Sequence, residues 1–394
     1  MKKQTQAIHL EYERRDAYDS LSVPVYNTLA YEFDNAAIMA EAFTDKIKAP
    51  DYSRVENPTV TNLERRVAAL TDAAHATAFN SGMAAISNTL MALAAQGKNI
   101  VTSKHLFGNT YALLVATLRR FGVKVRLRDL TNIEAVREAI DDDTCCVFLE
   151  ILTNPQLEVA DLKAISEVAH EKNVPLVVDS TVIPFTQFSA KSLGVDIEVV
   201  SSSKYVSGGA TSLGGLVIDY GTPYNGDFAK RLYGEMLFNF GAYMTPQVAY
   251  MQTIGLETLD ARYRVQSGNA LELAKKLRSL PQIKNVNYVG LEDNPYHELA
   301  QRQFGKTAGA MICIDLESKE ACFSFLNNLK LIHRATNLFD NRSLAIHPAS
   351  TIFGAFSESM RKSMDVKDTT IRLSVGLEDV DDLFEDIKQA VNSL

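Results

Sequence analysis

The chain has 394 residues, 46% of them apolar, enough for two hydrophobic cores or one large core with a smaller appendage, and more than a small binding module needs. With 40 lysines and arginines against 48 aspartates and glutamates the formal charge is −8, which argues against nucleic acid or an acidic membrane held by bulk attraction. The expected partners are small molecules and other protein subunits.

Residues 1–50 open with MKKQTQAIHLEYERRD, two lysines with no apolar leader behind them, and read as an arm that packs on another surface. No window approaches the roughly 18 uncharged apolar residues of a membrane span, so a soluble, intracellular and most simply cytoplasmic protein is expected. From 51 to 245 short apolar runs bounded by turn residues mostly alternate with helix-length segments such as Asp161 to Lys172. The runs are Asn99 to Thr102, Lys124 to Leu127, Cys145 to Leu152, Val174 to Thr181, Ile197 to Ser201 and Leu213 to Asp219. This spacing predicts βαβ units and an α/β domain with a mostly parallel sheet. VPLVVD and VFLEIL are apolar on nearly every residue, as strands covered on both faces must be. From 246 to 394 the pattern changes to a long helix that includes Leu271 to Leu277, a mixed stretch containing GAMICIDL, and a last helix from about Asp379. That reads as a smaller α+β domain, joined to the first by a helix.

Candidate functional residues gather at the ends of these elements. In HATAFNSGMAAISNTL, Ser81-Gly82-Met83 follow an apolar run and start a helical segment, so backbone N–H groups and the helix dipole converge there on a possible phosphate. Glu150 and Asn154, in LEILTNP, place polar groups at the end of a strand. Asp179 closes VPLVVDS, where an ionised carboxylate is costly without a cationic partner. Lys204, in VVSSSKYVSGG, sits among hydroxyls and glycines; Ser201 and Ser203 before it could donate to an anion. Each has an ordinary reading alone: a helix start, an N-cap or ion-pair acid, a lysine in a Gly/Ser loop. Together they describe a lysine nucleophile, an anion cup and a buried acid, which is what pyridoxal phosphate requires.

Other chemistries find no support. Gly208-Gly209 and Gly214-Gly215 do not supply a dinucleotide-binding spacing, and seven scattered histidines without an HExxH give no metal site. Cys145, Cys146, Cys313 and Cys322 have no CxxC spacing and read as reduced core residues.

Several motifs then stand in order along nearly the whole chain: YSRVENPT (Tyr52 to Thr59), NSGMAAI (Asn80 to Ile86), VDST (Val178 to Thr181), SSSKYVSGG, HPAST (His347 to Thr351) and IRLSVGLEDVDDL (Ile371 to Leu383). They resemble the Cys/Met-metabolism pyridoxal-phosphate enzymes, the trans-sulfuration enzymes of the type I, aspartate-aminotransferase-like PLP-dependent transferase fold. The resemblance implies that Lys204 carries the cofactor and shuttles protons, that Asp179 pairs with the pyridine nitrogen, and that Asn154 bonds the ring hydroxyl. Ser81, Gly82, Met83, Ser201 and Ser203 would serve the phosphate, with Tyr52 and Arg54 reaching in from a neighbouring subunit, and Phe107 would stack on the ring. Arg372 would hold the substrate α-carboxylate as a bidentate fork, with Asn337, Arg342 and Glu150 on the substrate side. The resemblance also implies a homo-oligomer, at least a dimer and expected as a tetramer of active dimers.

Departures from the family's pattern indicate the branch. Arg342 stands where cystathionine-handling members resemble one another in having a glutamate, and a cation there repels a distal ammonium; the alternative is an outward, solvated arginine. Phe107 replaces a common tyrosine and cannot protonate a leaving group. A departing thiolate has a conjugate acid near pKa ~8.5, a carboxylate one near ~4, so acetate needs less protonation. Asn109 stands where methionine γ-lyases tend to have a reactive cysteine, and Ser180, Phe339 and Phe353 replace asparagine, glycine and histidine. The expected reaction is γ-replacement on an activated homoserine ester, first O-acetylhomoserine, with sulfide or methanethiol as co-substrate. The alternatives are a γ-lyase acting on methionine or cystathionine, and a cystathionine γ-synthase-like enzyme using O-succinylhomoserine.

Overall fold

The computed structural model describes residues 1–10, 16–44 and 46–394. Residues 11–15 and 45 of the expected arm therefore lie outside the described residues. Seven strands build the larger sheet: β1 (His75–Phe79), β2 (Asn99–Thr102), β3 (Lys124–Leu127), β4 (Thr144–Glu150), β5 (Leu176–Asp179), β6 (Ile197–Val200) and β7 (Gly215–Asp219). Their spatial order is β1-β7-β6-β5-β4-β2-β3, parallel from β6 to β3, with β7 antiparallel to both of its neighbours. The nearly all-apolar strands divide their side chains by the two-residue pleat. Val147, Leu149 and Val178 enter one core, and Cys146, Phe148 and Val177 enter a second core on the other face. Burial on both faces is what such sequences demand.

Helices start where the sequence supplies caps. The Asn57 side chain accepts from Thr59 N ahead of Pro58–Thr71, Ser81 accepts from Ala84 N ahead of Gly82–Leu93, and Asp161 accepts from Ala164 N ahead of Leu162–His170. A second, antiparallel sheet has the order β10-β11-β9-β8, from β8 (Asn285–Asn287), β9 (Met311–Asp315), β10 (Leu344–Ile346) and β11 (Thr370–Ser374). β11 thus lies between two strands, and Arg372 sits at its middle. No described helix is long and apolar enough to cross a membrane.

The long helix expected after residue 246 is two helices, Pro246–Glu257 and Leu259–Leu277, meeting at Thr258. The first packs on Pro58–Thr71 and on the turn Tyr205–Ser207; the second packs on Val380–Val391. The approach to the turn after Lys204 is close enough to require glycine. A Cβ on Gly255 would stand 2.0 Å from the Val206 carbonyl oxygen and 2.8 Å from Gly208 N. We therefore expect Gly255→Ala to cost about 1–3 kcal/mol, the usual range for overpacking, and to lower the thermal midpoint. An unchanged melting curve would mean that this contact does not constrain the turn.

Candidate active site

The carboxyl ends of β4, β5 and β6 converge on one region, as expected for ligand sites of parallel sheets. Asp179 ends β5, Asn154 follows β4, and Ser201, Ser203 and Lys204 follow β6. Facing them is the start of helix Gly82–Leu93. A Cβ on Gly82 would lie 2.6 Å from Ser201 Cβ, so only glycine lets the helix N-terminus close on that loop. Thr181, the last residue of the VDST motif, ties the ends together: its hydroxyl accepts from Ser201 N at 2.8 Å and its N–H donates to Asp179 at 2.9 Å.

Lys204, Ser81, Gly82, Met83, Ser201, Ser203, Asn337 and Arg342 line a cavity of about 840 Å³. Lys204 Nζ donates to Asn337 Oδ1 at 2.6 Å. Burial, reinforced by the charge of Arg372, lowers its pKa to about 8. Arg372 is 2% exposed. It donates from Nη1 to Asn154 Oδ1 and from Nη2 to the Asn337 carbonyl, both at 3.2 Å, while Nε has no partner. Among the described residues no carboxylate lies within ion-pair distance of Arg372 or Lys204. Burial brings the Arg372 pKa down to about 10. The arrangement is a buried fork with an orphan donor beside a lysine primed to lose its proton, and it fits a small carboxylate-bearing amine.

Two acids meet below the cavity. Glu150 and Asp179 are register partners on β4 and β5, and burial raises the pKa of each, that of Glu150 further through the Asp179 charge. Glu150 accepts from Phe107 N at 2.5 Å, which sets the start of helix Gly108–Ala112 and so places Phe107. Glu150, expected on the substrate side, holds the Phe107 loop through this bond; like Asn154, Asp179, Phe107 and Arg372 it lies behind the residues that line the cavity. Ser203 is on the wall, but its hydroxyl donates to the Gly214 carbonyl at 3.1 Å and accepts from Gly214 N at 2.9 Å.

Tyr52 and Arg54 do not join this cavity within the chain. The Arg54 guanidinium lies over the Tyr52 ring at 5.3 Å and donates to the Phe238 carbonyl at 2.5 Å. Arg342 is on the wall with 65% of its side chain exposed, 3.5 Å from Asp340 Oδ1. Ser180, Phe339 and Phe353 are absent from it. Ser180 donates to Glu198, which also accepts from the Tyr220 hydroxyl at 2.6 Å. Phe339, at φ 57°, stacks on Tyr205 with centroids 4.0 Å apart, and Phe353 is fully buried beside Phe356. Sequence reasoning missed Glu198, although an acid inside the apolar run VDIEVV was the available signal. Asp340, His333 and Arg334 on the wall gave none. Among the described residues, no group of three or more His, Cys, Asp or Glu is placed to hold a metal ion, and all four cysteines are free.

Residues 4–392 match the family described as Cys/Met metabolism PLP-dependent enzyme. The L-methionine gamma-lyase of Fusobacterium nucleatum subsp. polymorphum is 37% identical over 394 residues, 99% of this chain and 98% of its own. The O-acetyl-L-homoserine sulfhydrylase of Corynebacterium glutamicum is 32% identical over 417 residues, 98% of this chain and 95% of its own. A Campylobacter jejuni crystal structure, described as an O-acetylhomoserine (thiol)-lyase with N'-pyridoxyl-lysine-5'-monophosphate at its position 205, superposes with a TM-score of 0.95 at 34% identity, covering 100% of both chains.

The lowered pKa of Lys204 gives a pH test. The neutral, nucleophilic amine should grow as pH rises through about 8, so the rate at which cofactor-free protein takes up pyridoxal phosphate should rise with that midpoint. Arg372→Leu removes the neighbouring charge and should move the midpoint upward. A wild-type midpoint near the ordinary lysine value of ~10.4 would contradict the buried, cation-flanked environment.

Proposed function

The chain belongs to the Cys/Met metabolism PLP-dependent enzymes, and within that family we propose that it catalyses γ-replacement on an activated homoserine ester, first O-acetylhomoserine with sulfide, giving homocysteine and acetate. The observation that carries this reading is Arg342 on the wall of the cavity that holds Lys204. A cation there disfavours the distal ammonium of cystathionine and tolerates a neutral or anionic ester tail. Phe107 supports it further, since phenylalanine offers no proton to a thiolate leaving group.

Bound pyridoxal phosphate supplies the electron sink that makes the α and β protons of an amino acid removable. Gly82, Met83 and Ser201 would hold its phosphate at the helix N-terminus, and Asp179 would face its ring nitrogen, which gives that buried carboxylate the cation it lacks. Arg372 would turn its orphan Nε and one Nη toward the substrate α-carboxylate, whose two oxygens match such a pair of parallel N–H donors. Lys204 Nζ, held beside Arg372 through Asn337, would then be positioned to take the Cα proton and return it. With Phe107 unable to donate, departure of the γ group depends on its own stability as an anion, which favours acetate. We propose in the same way that residues 51–245 handle the cofactor, that 246–394 supply Arg372 and the substrate wall, and that the arm of residues 1–50 serves contacts in the cytoplasmic oligomer.

A second reading, γ-elimination from methionine, is supported by the 37% identity to the Fusobacterium enzyme. Product analysis separates the two. Homocysteine and acetate from O-acetylhomoserine with sulfide should form faster than methanethiol and 2-oxobutanoate from methionine, and the reverse order would replace the first reading. O-succinylhomoserine in a parallel assay tests the tail. Phe107→Tyr should raise turnover of methionine relative to the ester by restoring a phenolic donor.

Because Tyr52 and Arg54 lie away from the chain's own cavity, we propose that they serve the site of a neighbouring subunit. Mixed oligomers of inactive Lys204→Ala and inactive Arg54→Ala subunits should recover part of the activity. No recovery in verified mixed oligomers would count against shared sites.

A further inference from the structure

Three stretches that carry candidate active-site groups meet at one buried histidine, His105. His105 is 6% exposed and lies in the loop between β2 and Phe107. Its Nδ1 is 2.5 Å from Glu158 Oε2, in the loop after β4 that also carries Asn154. Its Nε2 is 2.8 Å from Asp365 Oδ2, in the segment between β10 and β11 that leads to Arg372. That segment, residues 347–368, has a small core of its own, made by Ala349, Phe353, Met364 and Val366 and separate from the two cores of the large sheet. Tyr111, on the helix that Phe107 starts, packs edge-on against Phe356 of it at 5.9 Å. The ends of the segment are tied by His347, whose ring nitrogens reach Ser350 Oγ and the Asp368 carbonyl, each at 2.8 Å.

We propose that His105 is a positioning residue: as an imidazolium it fastens the 347–368 segment to the loops carrying Phe107 and Asn154, and loss of its proton loosens that segment. The argument is one of donors. Two carboxylates face the two ring nitrogens, and only the cation has an N–H for each; a neutral ring leaves one carboxylate facing a lone pair. Other charged groups surround the clamp. Lys104, on the same loop, reaches Asp365 Oδ2 at 2.7 Å and shares that carboxylate, and its charge opposes the imidazolium. On the segment, Lys367 is engaged by Asp315 at 3.1 Å, and Arg361 lies 4.0 Å from Asp368. Tyr296 adds a phenol near Glu158 whose pKa is raised by burial and by that acid. Burial by itself would lower the His105 pKa, but the bonds and charges of Glu158 and Asp365 outweigh it and the net direction is up. His347 moves the opposite way through burial, so the tie at the base of the segment does not titrate in the same range. Gln156 adds an uncharged tie, its Nε2 donating to the Met364 carbonyl at 2.7 Å.

A histidine with a raised folded-state pKa stabilises below its unfolded value, and that contribution is lost as pH rises through the folded value. Amide hydrogen exchange of the pyridoxal-phosphate-loaded protein, expressed as protection factors, reads this directly. Between pH 6 and pH 9, peptides covering residues 348–366 should lose protection while peptides of β4 stay constant. The midpoint should lie above the ordinary imidazole value of ~6.5. Asp365→Asn, a near-isosteric change at a half-exposed side chain, should move the midpoint to lower pH by removing one of the two carboxylates. His105→Gln should make protection low and independent of pH. A flat wild-type profile, or an unshifted midpoint in Asp365→Asn, overturns the proposal, as does an unchanged pH response in folded His105→Gln.

Discussion

The constraint on which the rest of the site depends is an uncompensated charge. Arg372 is held inside the protein with no acid beside it among the described residues, and a buried, unpaired guanidinium costs several kcal/mol unless something else supplies the partner. Its neighbours are neutral: the Asn154 amide oxygen and the Asn337 carbonyl. The fold keeps this unfavourable arrangement because β11 is a central strand, hydrogen-bonded on both sides to β9 and β10, so the backbone under Arg372 cannot move away. Burial first, and then the same charge, lowers the pKa of Lys204. One immobile cation therefore both awaits a carboxylate and readies the amine next to it.

The sheet beneath shows the complementary problem, buried acids without cations. Glu150 and Asp179 raise one another's cost on one face, and Glu198 sits on the other with hydroxyl donors from Ser180 and Tyr220. Each has protein donors, Glu150 the Phe107 N–H, Glu198 its two hydroxyls and Asp179 those of Thr181, yet burial keeps all three raised. The ring nitrogen proposed to face Asp179 would give that carboxylate the cation its burial calls for. Ser180 is spent on Glu198, so its departure from the family's asparagine changes the support of the sheet and leaves the cavity wall untouched.

The small sheet and the 347–368 segment bring a second body of chain over the first. Phe339 illustrates how firmly that body is fixed. A phenylalanine in the left-handed backbone region costs roughly 1–2 kcal/mol relative to glycine, and it is retained here with its ring stacked on Tyr205, the residue after Lys204. The contact links the substrate-side wall to the lysine loop through packing alone.

What the sequence determined by itself was local. Apolar runs placed the ends of β4, β5 and β6, and with them Asn154, Asp179 and Lys204; Ser81-Gly82 marked a capped helix start; motif order marked the family. These follow from a pleat of period two, from capping and from steric clearance, which act over a few residues. The pairing of Lys204 with Asn337, the neutral hydrogen-bond partners of Arg372, the turning of Arg54 to the Phe238 carbonyl and the clamp at His105 were decided only by tertiary structure. Each depends on which residues from distant parts of the chain are buried together, and burial is what sets the strength of a charge, the pKa of an amine and the number of donors that a histidine must supply.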